Sequence, residues 1–180
     1  MLTITIPGGE LFNDKTQEFF TVKEQTLQLE HSLVSVSKWE SKWQKSFLHS
    51  REKTVEETID YIKCMTITQN VDPFVYNHLT NANIEQINNY IAAPMTATTF
   101  SNLHNNTRSN EIITAELIYY WMIALNIPME CQKWHLNRLL TLIRVCNIKN
   151  TPPKKMNKRE IMSRNAALNA ARRKQLNSKG

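Results

Sequence analysis

Three glycines occur in the 180 residues, two of them adjacent at Gly8 and Gly9 and the third at Gly180. Glycine supplies the left-handed backbone of tight hairpins and the bare approach that phosphate-binding loops need. A chain with no glycine from residue 10 to residue 179 has little means of building many hairpins or a phosphate cradle. Helix is therefore the expected default. Hydrophobic residues make up 41% of the chain, enough for most of it to fold around a core rather than stay disordered. The length suits one domain plus a tail.

The patterning divides near residue 30. Leu2, Ile4 and Ile6 alternate with Thr3 and Thr5, the period of a half-buried strand, and Pro7-Gly8-Gly9 is expected to close it as a turn. Phe19-Phe20-Thr21-Val22 and Thr26-Leu27-Gln28-Leu29 read as one or two further strands. Helical spacing then takes over. Leu33, Val36, Trp39 or Glu40, Trp43 and Phe47 keep one apolar face. Thr54-Val55-Glu56-Glu57 is a capping box that opens a helix with Ile59, Ile62 and Cys64 or Met65 inward. Asp72-Pro73 predicts an N-cap and first position of a short helix holding Phe74, Val75 and Leu79. Residues 81–93 predict another, with Ile84, Ile87 and Ile91 in register, stopped by Pro94. Residues 96–110, rich in Thr, Asn and Ser, read as a loop.

The most apolar part follows. Residues 111–126 predict a helix carrying Ile112, Ile113, Leu117, Tyr120, Trp121 and Leu125. Pro128 is expected to begin the next helix, running to about Cys146 with Trp134, Leu136, Leu139, Leu140, Ile143 and Val145. Joined at Asn126-Ile127-Pro128, the two are expected to form an antiparallel hairpin at the centre of the core. The expected fold class is α+β: mainly α with a small N-terminal β-sheet.

Charge separates a body from an arm. Residues 149–180 hold ten Lys/Arg and one acid, Glu160, a net +9, which leaves twelve basic and fifteen acidic residues, a net −3, on residues 1–148. The expected organisation is a mainly helical domain with N-terminal strands over 1–148, then a basic linker containing Pro152-Pro153 and a C-terminal helix over 149–180. That helix is rich in alanine, and its apolar positions Ile161, Leu168 and Leu176 are sparse. It reads as exposed, docking only on a partner.

Cys64, Cys131 and Cys146 are an odd, widely spaced set in apolar surroundings, which points to reduced thiols in a cytosolic protein. The opening MLTITIPGGE lacks the basic and long apolar regions of a signal peptide. No apolar run approaches the ~18 residues needed to span a membrane, so no membrane partner is expected.

Few residues form a chemical constellation. Cys131 and His135 stand four apart on the expected helix, a spacing that lets two side chains share a metal, and Cys146 and His104 are conceivable further ligands. Without any CxxC, HxxH or HExxH, a buried thiol and a partly exposed imidazole is the better reading, and no metal or cofactor is expected. His31, His49, His78, His104 and His135 offer bases, but none lies in a nucleophile motif. Glu56, Glu57 and Asp60 near a helix start are the ordinary response to its dipole. No catalytic residue is assigned, and a non-enzyme is expected.

Two sets of residues are candidates for partner binding. Trp39 and Trp43 lie four apart with Lys42 between them; they form either core packing, the favoured reading, or an exposed ridge for a partner. Lys154, Lys155, Lys158, Arg159, Arg164, Arg172, Arg173 and Lys174 on the arm suit an acidic protein or the phosphates of a nucleic acid in equal measure. The arm lacks aromatics, so base stacking is not expected.

The segments LTITIPGGELFND, LEHSLVSVSKWESKW, CQKWHLNRLLTLIRVCNIKN and SRNAALNAARRKQLNSKG resemble small proteins from the tail gene modules of long-tailed bacteriophages, above all tail assembly chaperones. The likeness covers essentially the whole chain and includes no catalytic or ligand motif. It implies a helical protein that binds the tape measure protein, helps recruit tail tube protein and leaves as the tail closes, working in the host bacterial cytoplasm. It transfers no functional residue one by one. Two other readings stay open: a structural tail or neck protein that remains in the virion, and a protein whose basic arm binds DNA.

Overall fold

In the computed structural model, residues 1–13, 18–50, 52–100, 111–151 and 158–176 are described. The chain divides into two units, Met1–Asn147 and Ile148–Gly180. The fold is mainly α with a small N-terminal antiparallel sheet, and every named strand lies before residue 30. Among the described residues no helix is long and apolar enough to cross a membrane.

Strands β1 (Leu2–Ile6), β2 (Gly9–Asn13), β3 (Glu18–Val22) and β4 (Gln25–Leu29) pair as β1 with β4 and β2 with β3. The two ladders keep one register, Leu2 to Leu29 through Ile6 to Gln25 and then Gly9 to Val22 through Asn13 to Glu18. They are two lengths of one ribbon, interrupted by two residues on each side. The turn expected at Pro7-Gly8-Gly9 is thus absent, and Gly9 opens a strand. Neither glycine takes the left-handed backbone; both serve close approach. A Cβ on Gly8 would lie 2.6 Å from the Val22 carbonyl oxygen, and one on Gly9 would lie 2.6 Å from the His78 ring. Period-two alternation buries Ile4, Ile6, Leu27 and Leu29 on one face.

Helix α1 (Leu33–Trp43) starts at a capping box between Ser32 and Ser35. The expected apolar face does not run on to Phe47 within the helix. Gln44 takes a left-handed φ of 53° and ends it, and Phe47 reaches the core from the following turn. Helix α2 (Val55–Met65) opens at Thr54 with Glu57 closing the box, as the sequence predicts. Asp72 caps a short 3₁₀ helix, Pro73–His78, and Thr80 caps α3 (Asn81–Ala92). Residues 96–100 form no regular element, and 101–110 lie outside the described residues, with His104 and the expected loop's tip.

Helix α4 (Ala115–Ala124) begins at Thr114, later than expected. The second helix of the expected hairpin is divided. Met129–Lys133 is a 3₁₀ helix, Trp134 is extended, and α5 runs Leu136–Asn150. The cause is tertiary. Leu136 N–H donates to the His31 carbonyl at 2.7 Å, Ser32 and His135 form a β-bridge, and the His135 ring accepts Asn137 N–H, acting as the cap of α5. The main partner of α4 is α1 rather than α5. The centre of the core is therefore α1, where Trp39 is wholly enclosed, and Trp121 and Leu140 are only half-buried. Helix α6 (Lys158–Leu176) belongs to the second unit.

Candidate partner-binding site

The capping box at Thr54 sets the phase of α2. Glu57 serves it at one oxygen, accepting Thr54 N–H at 2.8 Å, and takes the Lys45 ammonium at 2.6 Å with the other. These bonds hold its pKa below the usual carboxylate value, the Lys45 bond first, although Glu57 is buried. In that phase Val55, Ile59 and Ile62 share one face, four and then three residues apart. They grade outward: Ile62 is buried, Ile59 half-buried, and Val55 is 75% exposed.

This face forms one wall of an apolar hollow of about 410 Å³. Tyr76 and Asn77 from the 3₁₀ helix, with Leu79 and Ile84, form the other. Lys53 stands at its edge. Its ammonium donates to the carbonyls of Phe47 at 3.0 Å and Ser50 at 2.9 Å and lies 4.2 Å from the centre of the Phe47 ring. Burial pushes its pKa down, against the pull of Glu57. Beyond Ile59 lies a second hollow of about 280 Å³, lined also by Lys42, Trp43, Glu56, Asp60 and Lys63. Ile59 is the ridge between the two.

The tryptophan pair resolves into two roles. Trp39 has no exposed surface, and its indole N–H donates to the Glu57 carbonyl at 2.9 Å. It cannot be part of a ridge for a partner, because the apolar face of α1 turns it into the core. Trp43 is half-buried, donates to Asp60 at 3.0 Å, and borders the smaller hollow. Lys42 pairs with the same Asp60 carboxylate.

On the arm, Lys158, Arg159, Arg164, Arg172, Arg173 and Lys174 all lie on α6, and all are exposed. Lys154 and Lys155 lie outside the described residues.

The histidine and cysteine candidates take structural places. Cys131 and His135 are not on one helix, because the chain breaks at Trp134. His135 spends both nitrogens on backbone: Nδ1 accepts Asn137 N–H at 3.3 Å, so Nε2 must carry the proton it donates to the Tyr90 carbonyl at 3.0 Å. His31 packs edge-on against it at 5.0 Å and hydrogen-bonds Tyr61. Among the described residues no group of three or more His, Cys, Asp or Glu is placed to hold a metal ion. The three cysteines are unpaired. Burial pushes the Cys64 thiol up, which keeps it protonated and unreactive.

Set against known protein families, curated proteins and solved structures, the chain matches none of them.

Sequence reasoning missed the α2 hollow. The signal was present in Val55, an apolar residue that extends the inward face of Ile59 and Ile62 to the exposed first turn of a capped helix. What the sequence lacks is the far wall, which comes from residues up to 29 positions further along.

Proposed function

We propose that this chain is a tail assembly chaperone of a long-tailed phage, acting by binding rather than by catalysis. Its partner on this reading is the tape measure protein, a long chain of amphipathic helix, held before the tail tube polymerises around it. The observation that carries the reading is the open apolar hollow beside Ile59. An amphipathic helix docks by setting side chains spaced three and four apart into such a groove. At about 410 Å³ the hollow takes side chains rather than a whole helix, so the partner lays a ridge across it and Ile59 fits between two of its residues. Lys63 at the rim of the smaller hollow suits an acidic residue on the flank of that helix. The likeness of the four sequence segments to tail assembly chaperones supplies the identity of the partner.

Co-expression with overlapping tape measure segments tests it. Wild-type chain is expected to retain at least one segment on affinity resin, and Ile59→Asp to lose it while keeping its melting temperature within a few degrees. Retention by Ile59→Asp would place the contact elsewhere. The chain is further expected to be missing from purified virions. Its presence there in fixed copy number would instead make it a structural part of the tail or neck.

A further inference from the structure

Helix α6 carries its larger apolar side chains, Ile161, Leu168 and Leu176, sparsely on one exposed stripe, each three or four residues from Asn165 or Arg172. Its 19 residues carry six cations against one acid, Glu160, and the side chains described along it are all exposed. At 1.5 Å per residue it is about 28 Å long. The charges surround the helix, but the residue types do not. Asn165, Asn169, Arg172 and Arg173 stand at i, i+4, i+7 and i+8 and so share one face. Arg159 and Arg164 fall on either flank of that face. Ala167, Ala171 and Lys174 lie on the back.

We propose that α6 is a duplex DNA-binding helix that lies in the major groove, with Asn165, Asn169, Arg172 and Arg173 toward the base edges and Arg159 and Arg164 on the phosphates. Asparagine matches the donor and acceptor of adenine, and arginine matches the two acceptors of guanine. Cations on both flanks meet the two strands that border the groove. Alanine at positions 166, 167, 170 and 171 keeps the helix slender, which suits a groove about 12 Å wide. Double-stranded RNA is excluded by shape, because its major groove is too deep and narrow for a helix. The inference concerns α6 alone and does not depend on the tape measure reading.

The test uses the full chain and a labelled random-sequence DNA duplex of about 20 base pairs, followed by fluorescence anisotropy. Binding is expected to weaken about tenfold between about 50 and 200 mM salt, the dependence of the two phosphate contacts made by Arg159 and Arg164. Arg172→Ala/Arg173→Ala is expected to weaken it about tenfold or more. Both changes raise helix propensity, so loss of the helix does not mimic the result. Selection from a random pool is expected to enrich a short motif with the wild-type chain and to enrich none with Asn165→Ala/Asn169→Ala. The proposal is overturned by absence of duplex binding at low salt, by equal binding of an RNA duplex, or by an unaffected Arg172→Glu/Arg173→Glu variant. Displacement of the DNA by polyglutamate at matched charge would overturn it in favour of an acidic protein partner.

Discussion

The buried carboxylate of Glu40 accepts the backbone N–H of Ala115 at 2.7 Å, joining two residues 75 positions apart in the chain. Its other oxygen accepts Phe47 N–H at 2.7 Å. One side chain on α1 thereby fixes the turn that ends α1 and occupies the start of α4, where free N–H groups and the helix dipole favour an anion.

Removing that carboxylate leaves two buried N–H groups without a partner. Glu40→Ala is expected to cost about 2–5 kcal/mol in urea unfolding, from the two desolvated donors and the space left behind. Glu40→Gln, which keeps one acceptor and turns an amide N–H₂ toward the second donor, is expected to fall between. A loss under about 1 kcal/mol for Glu40→Ala would mean that water replaces the carboxylate.

The paired histidines make the fold acid-sensitive. Burial first, and then the neighbouring His135, lower the pKa of His31 from 6.5 to about 3, and burial lowers His135 as well. Below pH 6.5 the unfolded chain takes up a proton at His31 that the folded chain refuses until about pH 3. Stability is therefore whole above pH 6.5 and is lost as pH falls toward 3. His31 alone contributes a slope of about 1.4 kcal/mol per pH unit, and His135 acts in the same direction. Urea midpoints between about pH 6.5 and 5, above the range of most carboxylates, are expected to show it, with His31→Asn flattening the slope.

A Cβ at either Gly8 or Gly9 would have to displace its neighbours. Gly9→Ala meets the His78 ring and is expected to cost about 1–3 kcal/mol, most of which His78→Ala restores in a double-mutant cycle. Gly8→Ala meets the backbone of Val22 and Glu24, which no second substitution relieves, so its cost is expected to persist in any such pair. Independent, additive effects at Gly9 and His78 would show that the two do not touch.

The two tryptophans are expected to separate in the same assay. Trp39→Ala removes an enclosed indole and is expected to cost about 3–5 kcal/mol, whereas Trp43→Ala, half open to solvent, is expected to cost clearly less. Equal losses would place Trp43 in the core.

Deleting residues 152–180 is expected to leave the melting temperature nearly unchanged. The side chains described on α6 are exposed, so little buried area goes with it. An insoluble or unfolded product would show that Ile161, Leu168 and Leu176 pack on a core after all.

Features that neighbouring residues decide among themselves can be read from the order of the chain. The alternation of Leu2, Ile4 and Ile6, the Thr54 box, the Asp72-Pro73 start and the basic, alanine-rich α6 each rest on contacts within a turn or two, and each is legible as written. Tertiary structure decided where competing long-range partners existed. Glycine at 8 and 9 reads locally as a turn, but it answers to Val22 and to His78. The run from Pro128 reads as one helix, but Leu136 N–H and the His135 ring find partners in His31, Tyr90 and Asn137 that a continuous helix would forgo. The α2 hollow needs two walls, and only one of them is written in α2. At Pro128 bonds satisfied in a dry interior outweigh a local preference of a few tenths of a kcal/mol, because a buried donor left unpaired costs about 1–3 kcal/mol; at Gly8 and Gly9 the close approach of other chain segments decides.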